Sequence, residues 1–102
     1  MGEYVQVAKT SEVAAGTATC VEVRGTPIAL FNIEGHFYAI GNTCTHRGGP
    51  LAEGFMEGDE VTCPWHGARY KIPTGEVLGP PAPTGVPKYN VREQGDDVEI
   101  EI

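Results

Sequence analysis

Apolar residues along this chain recur at every second position in short blocks, not at the three-to-four spacing of a helix. Tyr4, Val5 and Val7 open one such block, and Thr19 to Val23, with Cys20 inside it, forms the next. Alternation at this period places successive side chains on opposite faces of a strand. Pro27 to Ile33 and His36 to Ile40 follow, separated by Glu34-Gly35, a pair that predicts a tight hairpin turn. Val86 to Arg92 and Val98 to Ile102 predict a second hairpin, joined across residues 93–97. The one candidate for a turn of helix lies around Ser11 to Ala15, where Ser11 is placed to cap.

The pattern breaks between Gly41 and Pro83. Glycines and prolines interrupt it at Gly48-Gly49-Pro50, Gly54, Gly58, Pro64, Gly67, Pro73, Gly75 and then Gly79-Pro80-Pro81-Ala82-Pro83. Short strands are predicted only at Glu60 to Thr62 and Arg69 to Ile72. No repeat and no linker divides the chain. The predicted architecture is all-β: residues 1–102 form one domain, an antiparallel β-sandwich with a small β subdomain inserted at about residues 42–83.

Composition agrees with that picture and narrows the function. The 102 residues include 14 glycines and 8 prolines, which suits many turns between short strands. Fourteen acidic residues against seven basic ones give a net charge of −7. That balance argues against nucleic acid, whose binding depends on cations set against phosphates, and against an anionic membrane surface. The acids either steer the protein towards a basic docking surface or serve only to keep it soluble. No apolar run approaches the roughly 20 residues of a spanning helix, and the first residues lack a signal-peptide pattern, so the cytoplasm is the expected compartment. Three cysteines cannot all pair, and a reducing compartment disfavours disulfides.

The interrupted middle holds the candidate chemistry. Cys44-Thr45-His46-Arg47-Gly48 and Cys63-Pro64-Trp65-His66-Gly67 each offer one thiolate and one imidazole, with sixteen residues between His46 and Cys63. Those side chains bind soft and borderline metals such as iron, zinc and copper. Glycine beside a ligand lets backbone approach a metal site closely and turn N–H groups towards sulfur. Either segment alone is a weak signal; the two together in one glycine-rich stretch are a strong one. A structural zinc site is the plainer alternative, although zinc fingers space their ligands as a close cysteine pair and a close histidine pair, whereas each pair here mixes the two.

Other candidates read more plainly. Cys20, in an alternating block with no cysteine or histidine beside it, is expected to be a small buried hydrophobe. His36 reads as a surface or strand-edge residue. Trp65 could shield a metal site, dock a partner or simply pack, with Pro50 adding apolar surface nearby. Arg47, Arg69 and Lys71 form either a basic rim or a solvated loop face, and the stiff stretch Gly79 to Pro83 suits a fixed cover over a metal site.

The Cys-Thr-His-x-Gly and Cys-Pro-x-His-Gly segments, at this separation, resemble the Rieske iron–sulfur family. The likeness is greatest to the small ferredoxins that serve bacterial ring-hydroxylating oxygenases. The resemblance implies a Rieske-like fold and one [2Fe-2S] cluster per chain. Cys44 and Cys63 would hold one iron and His46 and His66 the other, with Arg47, Gly48, Trp65, Gly67, Ala68, Tyr70 and Pro80 as the cluster's surroundings. It further implies a carrier of single electrons rather than an enzyme, monomeric in isolation. The partners would be a flavin-dependent NAD(P)H reductase and a terminal oxygenase on other chains, since this one has neither a dinucleotide-binding motif nor room for a second iron domain. A small Rieske subunit of an assimilatory nitrite reductase is the second redox reading, and a zinc-stabilised interaction module stands in a different class.

The ligand set also bears on potential. Two histidines in place of two cysteines leave the oxidised site about neutral, and a neutral site takes an electron at less Coulomb cost than an anionic one. That raises the potential into a range of roughly −150 to +300 mV. High-potential members of the family join the two cluster loops by a disulfide and donate a serine hydroxyl to a sulfide. Gly49, Trp65 and Ala68 occupy those positions here, while Tyr70 matches a tyrosine that donates to a cysteine sulfur. The resemblance therefore implies a low potential for a Rieske centre.

Overall fold

The computed structural model describes residues 2–45, 48–65, 67–79 and 84–102. Among the described residues, eleven strands fall into three antiparallel sheets. β2 (Thr17–Val23), β3 (Thr26–Ile33), β4 (His36–Gly41) and β9 (Lys88–Tyr89) form the first, in that order. β1 (Tyr4–Lys9), β11 (Asp97–Glu101) and β10 (Val91–Gln94) form the second, with β11 in the middle. β5 (Phe55–Glu57), β6 (Glu60–Thr62), β7 (Arg69–Lys71) and β8 (Val77–Gly79) run in sequence order as the third.

β3 explains how the layers meet. Its register pairs Leu30 with Ala39 and Ala29 with Ile40, and side chains directly opposite each other share a face. Ile28 and Leu30, with Ala39 of β4, join a core containing Val13, Val98 and Ile100 from the three-stranded side. Ala29 and Phe31, with Ile40, join a second core that contains Leu51, Val61, Tyr70 and Ile72 from the segment between β4 and β9. β3 is thus buried on both faces, which accounts for its unbroken apolar run IALF.

The predicted β1, β2, β3 and β4 blocks and the Glu34-Gly35 hairpin are all present. Several elements differ from the sequence expectation. The helical turn is a single 3-10 turn at Thr10–Glu12, ahead of the expected Ser11 to Ala15; the Glu12 carboxylate accepts from the Lys9 N–H at 2.8 Å, so Ser11 does not cap it. The block Val86 to Arg92 is two strands in two sheets. Pro87 has no N–H to give a ladder, and Asn90 hands the chain across, its carbonyl accepting from the Glu101 N–H at 2.9 Å and its amide donating to the Glu101 carboxylate at 2.8 Å. The second hairpin closes more tightly than residues 93–97, through Gly95-Asp96 alone, because Gly95 takes φ +61°.

Three short elements lie outside the sequence expectation: β5, β8 and a 3-10 turn at Leu51–Glu53 that buries Leu51. Cys20 is exposed, contrary to the expectation of a buried hydrophobe. It pairs with Ala29 across β2 and β3, on the same face of β2 as Glu22, while Val21 and Val23 take the other face. His36 is exposed at the start of β4, as expected for a strand-edge residue. Among the described residues, no helix is long and apolar enough to cross a membrane.

Candidate metal centre

Cys44 follows β4 and Cys63 follows β6, and both side chains are buried, each 3% exposed. The backbones around them repeat one design. The Cys44 N–H donates to the Gly49 carbonyl at 2.9 Å, and the Gly48 N–H donates back to the Cys44 carbonyl at 2.8 Å. In the second loop the Cys63 N–H donates to the Ala68 carbonyl at 2.7 Å, and the Gly67 N–H to the Cys63 carbonyl at 3.2 Å. Gly48 and Gly67 both sit at φ +80°, a conformation that glycine adopts without steric cost. Counted from each cysteine, glycine is the fourth residue on in both loops. This signal is legible in the sequence and is obscured only when the glycines are counted from the histidines.

Buried groups hold the first loop in place. Thr43 bridges to Pro50. The buried Asn42 side chain accepts from the Ala52 N–H at 2.8 Å, and its carbonyl accepts from the Leu51 N–H at 2.8 Å. Sequence reasoning does not single out Asn42, since a lone asparagine after a strand carries no distinguishing pattern.

The two cysteines differ in what surrounds the sulfur. Tyr70, fully buried in β7, brings its hydroxyl to 3.3 Å from the Cys44 sulfur. The same hydroxyl accepts from the Thr45 N–H at 3.1 Å and lies 3.0 Å from Thr45 Oγ1, which itself donates to the Thr84 carbonyl at 2.7 Å. Burial, followed by the contact with Cys44, pushes the Tyr70 phenol above its ordinary range, so it remains a donor. Cys63 is closely packed. A Cβ on Gly49 would stand 2.6 Å from the Cys63 sulfur and 3.1 Å from the Trp65 ring, so only glycine fits between them. Trp65 is 56% exposed.

Both ends of the proline-rich stretch are fixed. Gly79 pairs with Arg69 in the β7–β8 ladder. Downstream, Thr84 takes the Thr45 hydrogen bond, and the Val86 N–H donates to the Gly75 carbonyl at 2.8 Å. Gly75 and Gly85 approach so closely that a Cβ on Gly85 would lie 2.5 Å from the Gly75 carbonyl oxygen. Arg69 and Lys71 do not form an open basic rim, because Glu60 pairs with the first at 3.2 Å and Asp59 faces the second at 3.7 Å. Ala68 is fully buried between Gly67 and β7. His46, Arg47, His66 and Pro80 lie outside the described residues.

Two buried thiols on matched loops, one with a phenol hydroxyl aimed at its sulfur, fit a metal held through thiolates. Donation to sulfur favours the anionic form that ligates.

Comparison with known proteins agrees with that chemistry. Residues 3–90 match the model of the Rieske [2Fe-2S] domain. The ferredoxin component of the naphthalene 1,2-dioxygenase system of Pseudomonas aeruginosa is 33% identical over 98% of this chain and 96% of its own length. The ferredoxin of carbazole 1,9a-dioxygenase from Nocardioides aromaticivorans IC177 superposes with a TM-score of 0.90 at 27% identity, covering 95% of each chain. A structure described as a complex of reduced oxygenase and oxidised ferredoxin in carbazole 1,9a-dioxygenase matches with a TM-score of 0.89 at 30% identity, over 95% of this chain and 91% of the other.

Proposed function

Because the chain belongs to the Rieske [2Fe-2S] domain family, we propose that Cys44, His46, Cys63 and His66 hold its cluster, with the cysteines on one iron and the histidines on the other. As a member of that family it carries one [2Fe-2S] cluster and acts as an electron-transfer protein, the ferredoxin component of a dioxygenase-type system rather than a catalyst. When bound, the cluster supplies reversible uptake of one electron.

The observation that carries the ligand assignment is the pair of buried cysteines on matched loops, Cys44 under the Tyr70 hydroxyl and Cys63 against Gly49. The chain's own part follows from that geometry. Its loops fix two sulfur atoms away from water, and Tyr70 stabilises negative charge on one of them. Gly49 and Trp65 close the approach to the other. Ligands drawn wholly from protein leave no coordination position open to a substrate, which accords with a carrier role.

The family resemblance suggests two protein partners. A flavin-dependent NAD(P)H reductase supplies the electron and a terminal oxygenase takes it, the latter supported by the ferredoxin–oxygenase complex of the carbazole system. The half-exposed Trp65 ring gives an apolar contact beside the cluster loops for such docking. We place the protein in the cytoplasm, as a monomer in isolation. The relatives are ferredoxin components of dioxygenase systems, so neither a nitrite reductase subunit nor a zinc module is favoured.

Metal analysis and spectroscopy test the site. The purified protein should be reddish-brown, hold two irons and two labile sulfides per chain, and give a Rieske-type electron paramagnetic resonance signal on reduction. Cys44→Ser and His66→Ala should each abolish iron binding and the visible spectrum. Full iron content and an unchanged spectrum in either variant would sink the ligand assignment.

A further inference from the structure

The hydroxyl of Thr45 sits in a three-way contact that the ligand assignment does not use. Its single proton is committed to Thr84, because a carbonyl only accepts and the separation is 2.7 Å. The oxygen left behind is an acceptor, and donating to Thr84 strengthens it as one. It lies 3.0 Å from the Tyr70 hydroxyl, which has only one proton of its own. That proton has two claimants, Thr45 Oγ1 and the Cys44 sulfur at 3.3 Å. The backbone N–H of Thr45 occupies an acceptor position of Tyr70 from the other direction at 3.1 Å and leaves the competition unchanged.

We propose that Thr45 is a positioning residue that lowers the cluster's redox potential by drawing the Tyr70 proton away from the Cys44 sulfur. The inference rests on Cys44 being a cluster ligand. Hydrogen bonds to ligand sulfur stabilise the reduced, more negative state, so sharing that proton weakens a term that raises the potential. Tyr70 is fully buried and packed among Val61, Ile72 and Leu51, so its ring stays in place without Thr45. The direction of the effect follows. Removing the threonine hydroxyl returns the whole Tyr70 proton to sulfur and raises the potential, whereas removing the tyrosine hydroxyl lowers it. The competitor's strength depends on the Thr84 carbonyl, which ties this contact to the seating of the proline-rich stretch.

Potentiometry on the purified, cluster-loaded protein tests this, with iron and sulfide content and the visible spectrum recorded on every variant. Thr45→Val should favour reduction by about threefold, which is about 28 mV upward at 59 mV per tenfold for one electron. Thr45→Ser, which keeps the hydroxyl, should retain the parent value, and Tyr70→Phe should shift downward. In a Tyr70→Phe background, Thr45→Val should have no further effect. An unchanged or lowered potential in Thr45→Val, or an equal shift with and without the tyrosine hydroxyl, overturns the proposal. Thr45→Ala provides a second removal of the hydroxyl. If Thr45→Val and Thr45→Ala both lose the cluster while Thr45→Ser keeps it, the hydroxyl is a structural tie and the proposal fails. Failure of the ligand assignment is separately visible, as a Cys44→Ser protein that still holds its iron.

Discussion

The two cysteine loops close in the same way and differ in the described contacts around their sulfur atoms. Each closes with the same pair of hydrogen bonds and a glycine at φ +80° four residues after the cysteine. Around Cys44 the protein uses polar contacts: the Tyr70 hydroxyl, the Thr45 N–H and hydroxyl, and the Thr84 carbonyl. Around Cys63 the described packing is close, with Gly49 set between the sulfur and the Trp65 ring. One loop geometry presents a sulfur atom twice, and the side chains then assign the two sulfurs different work. The Tyr70 hydroxyl stabilises charge at the first, and close packing surrounds the second.

Gly49→Ala should break this comparison most severely. Its new methyl would stand 2.6 Å from the Cys63 sulfur and 3.1 Å from the Trp65 ring, and neither neighbour is the flexible end of a side chain. Disturbing the shell around a metal ligand costs on the order of 10 to 100-fold in metal affinity. The expected result is protein purified with well under full iron and sulfide. At the matched position of the other loop, Ala68→Gly adds no atoms and should keep its cluster. Full iron content in Gly49→Ala would mean that the Cys63 loop is not close-packed.

Gly48→Ala and Gly67→Ala test the shared part. Among the described residues neither glycine has a crowded neighbour, since Gly48 meets a Thr43 methyl at 3.8 Å and Gly67 meets nothing within 4 Å. The cost expected from the left-handed backbone is about 1–2 kcal/mol each. Chemical denaturation of the loaded protein should give similar losses for the two. A large inequality would show that the loops are not equivalent supports.

Trp65→Ala addresses the difference between the loops at smaller scale. Removing the ring admits water to the Cys63 side, and water favours the more charged, reduced state. The potential should rise, by less than Tyr70→Phe lowers it. A fall in potential would contradict the shielding role given to the ring.

Much of this architecture is legible in the order of residues alone. The strands of the first two sheets show themselves by alternation, because most are long enough for a period of two to repeat. β5 and β8 do not, since three residues such as Phe55–Glu57 carry no period. The division of residues 86–92 is hidden because Val86, Tyr89 and Val91 look continuous, and only tertiary contacts send them to different sheets. The cysteines are legible as a motif. Tyr70 is reached through the family resemblance, but the Thr45 contacts are not, because Thr45 meets Thr84 across 39 positions and Tyr70 across 25. Placing Cys20 in the interior overlooks a signal that is present. Glu22 lies two residues away in the same strand and so shares its face.

Cys20 supplies the smallest test, as the cysteine outside the two loops. Partial burial pushes its thiol above the ordinary range, and the nearby carboxylates of Glu22 and Glu53 add to the shift. A thiol whose pKa is higher folded than unfolded contributes stability below the unfolded value, and that contribution is lost as pH rises through the folded one. Cys20→Ser should therefore change stability by no more than about 0.5 kcal/mol near neutrality. It should also remove a small alkaline decline that the parent shows, while cluster content and potential stay unchanged. Denaturation curves of the two loaded proteins at neutral and alkaline pH would check this, and the difference between them isolates Cys20 because Cys44 and Cys63 are common to both. A parent protein that loses no more stability than Cys20→Ser on going alkaline would show that this edge position is as solvated as an unfolded chain. The contrast with the two enclosed loop cysteines would then be complete.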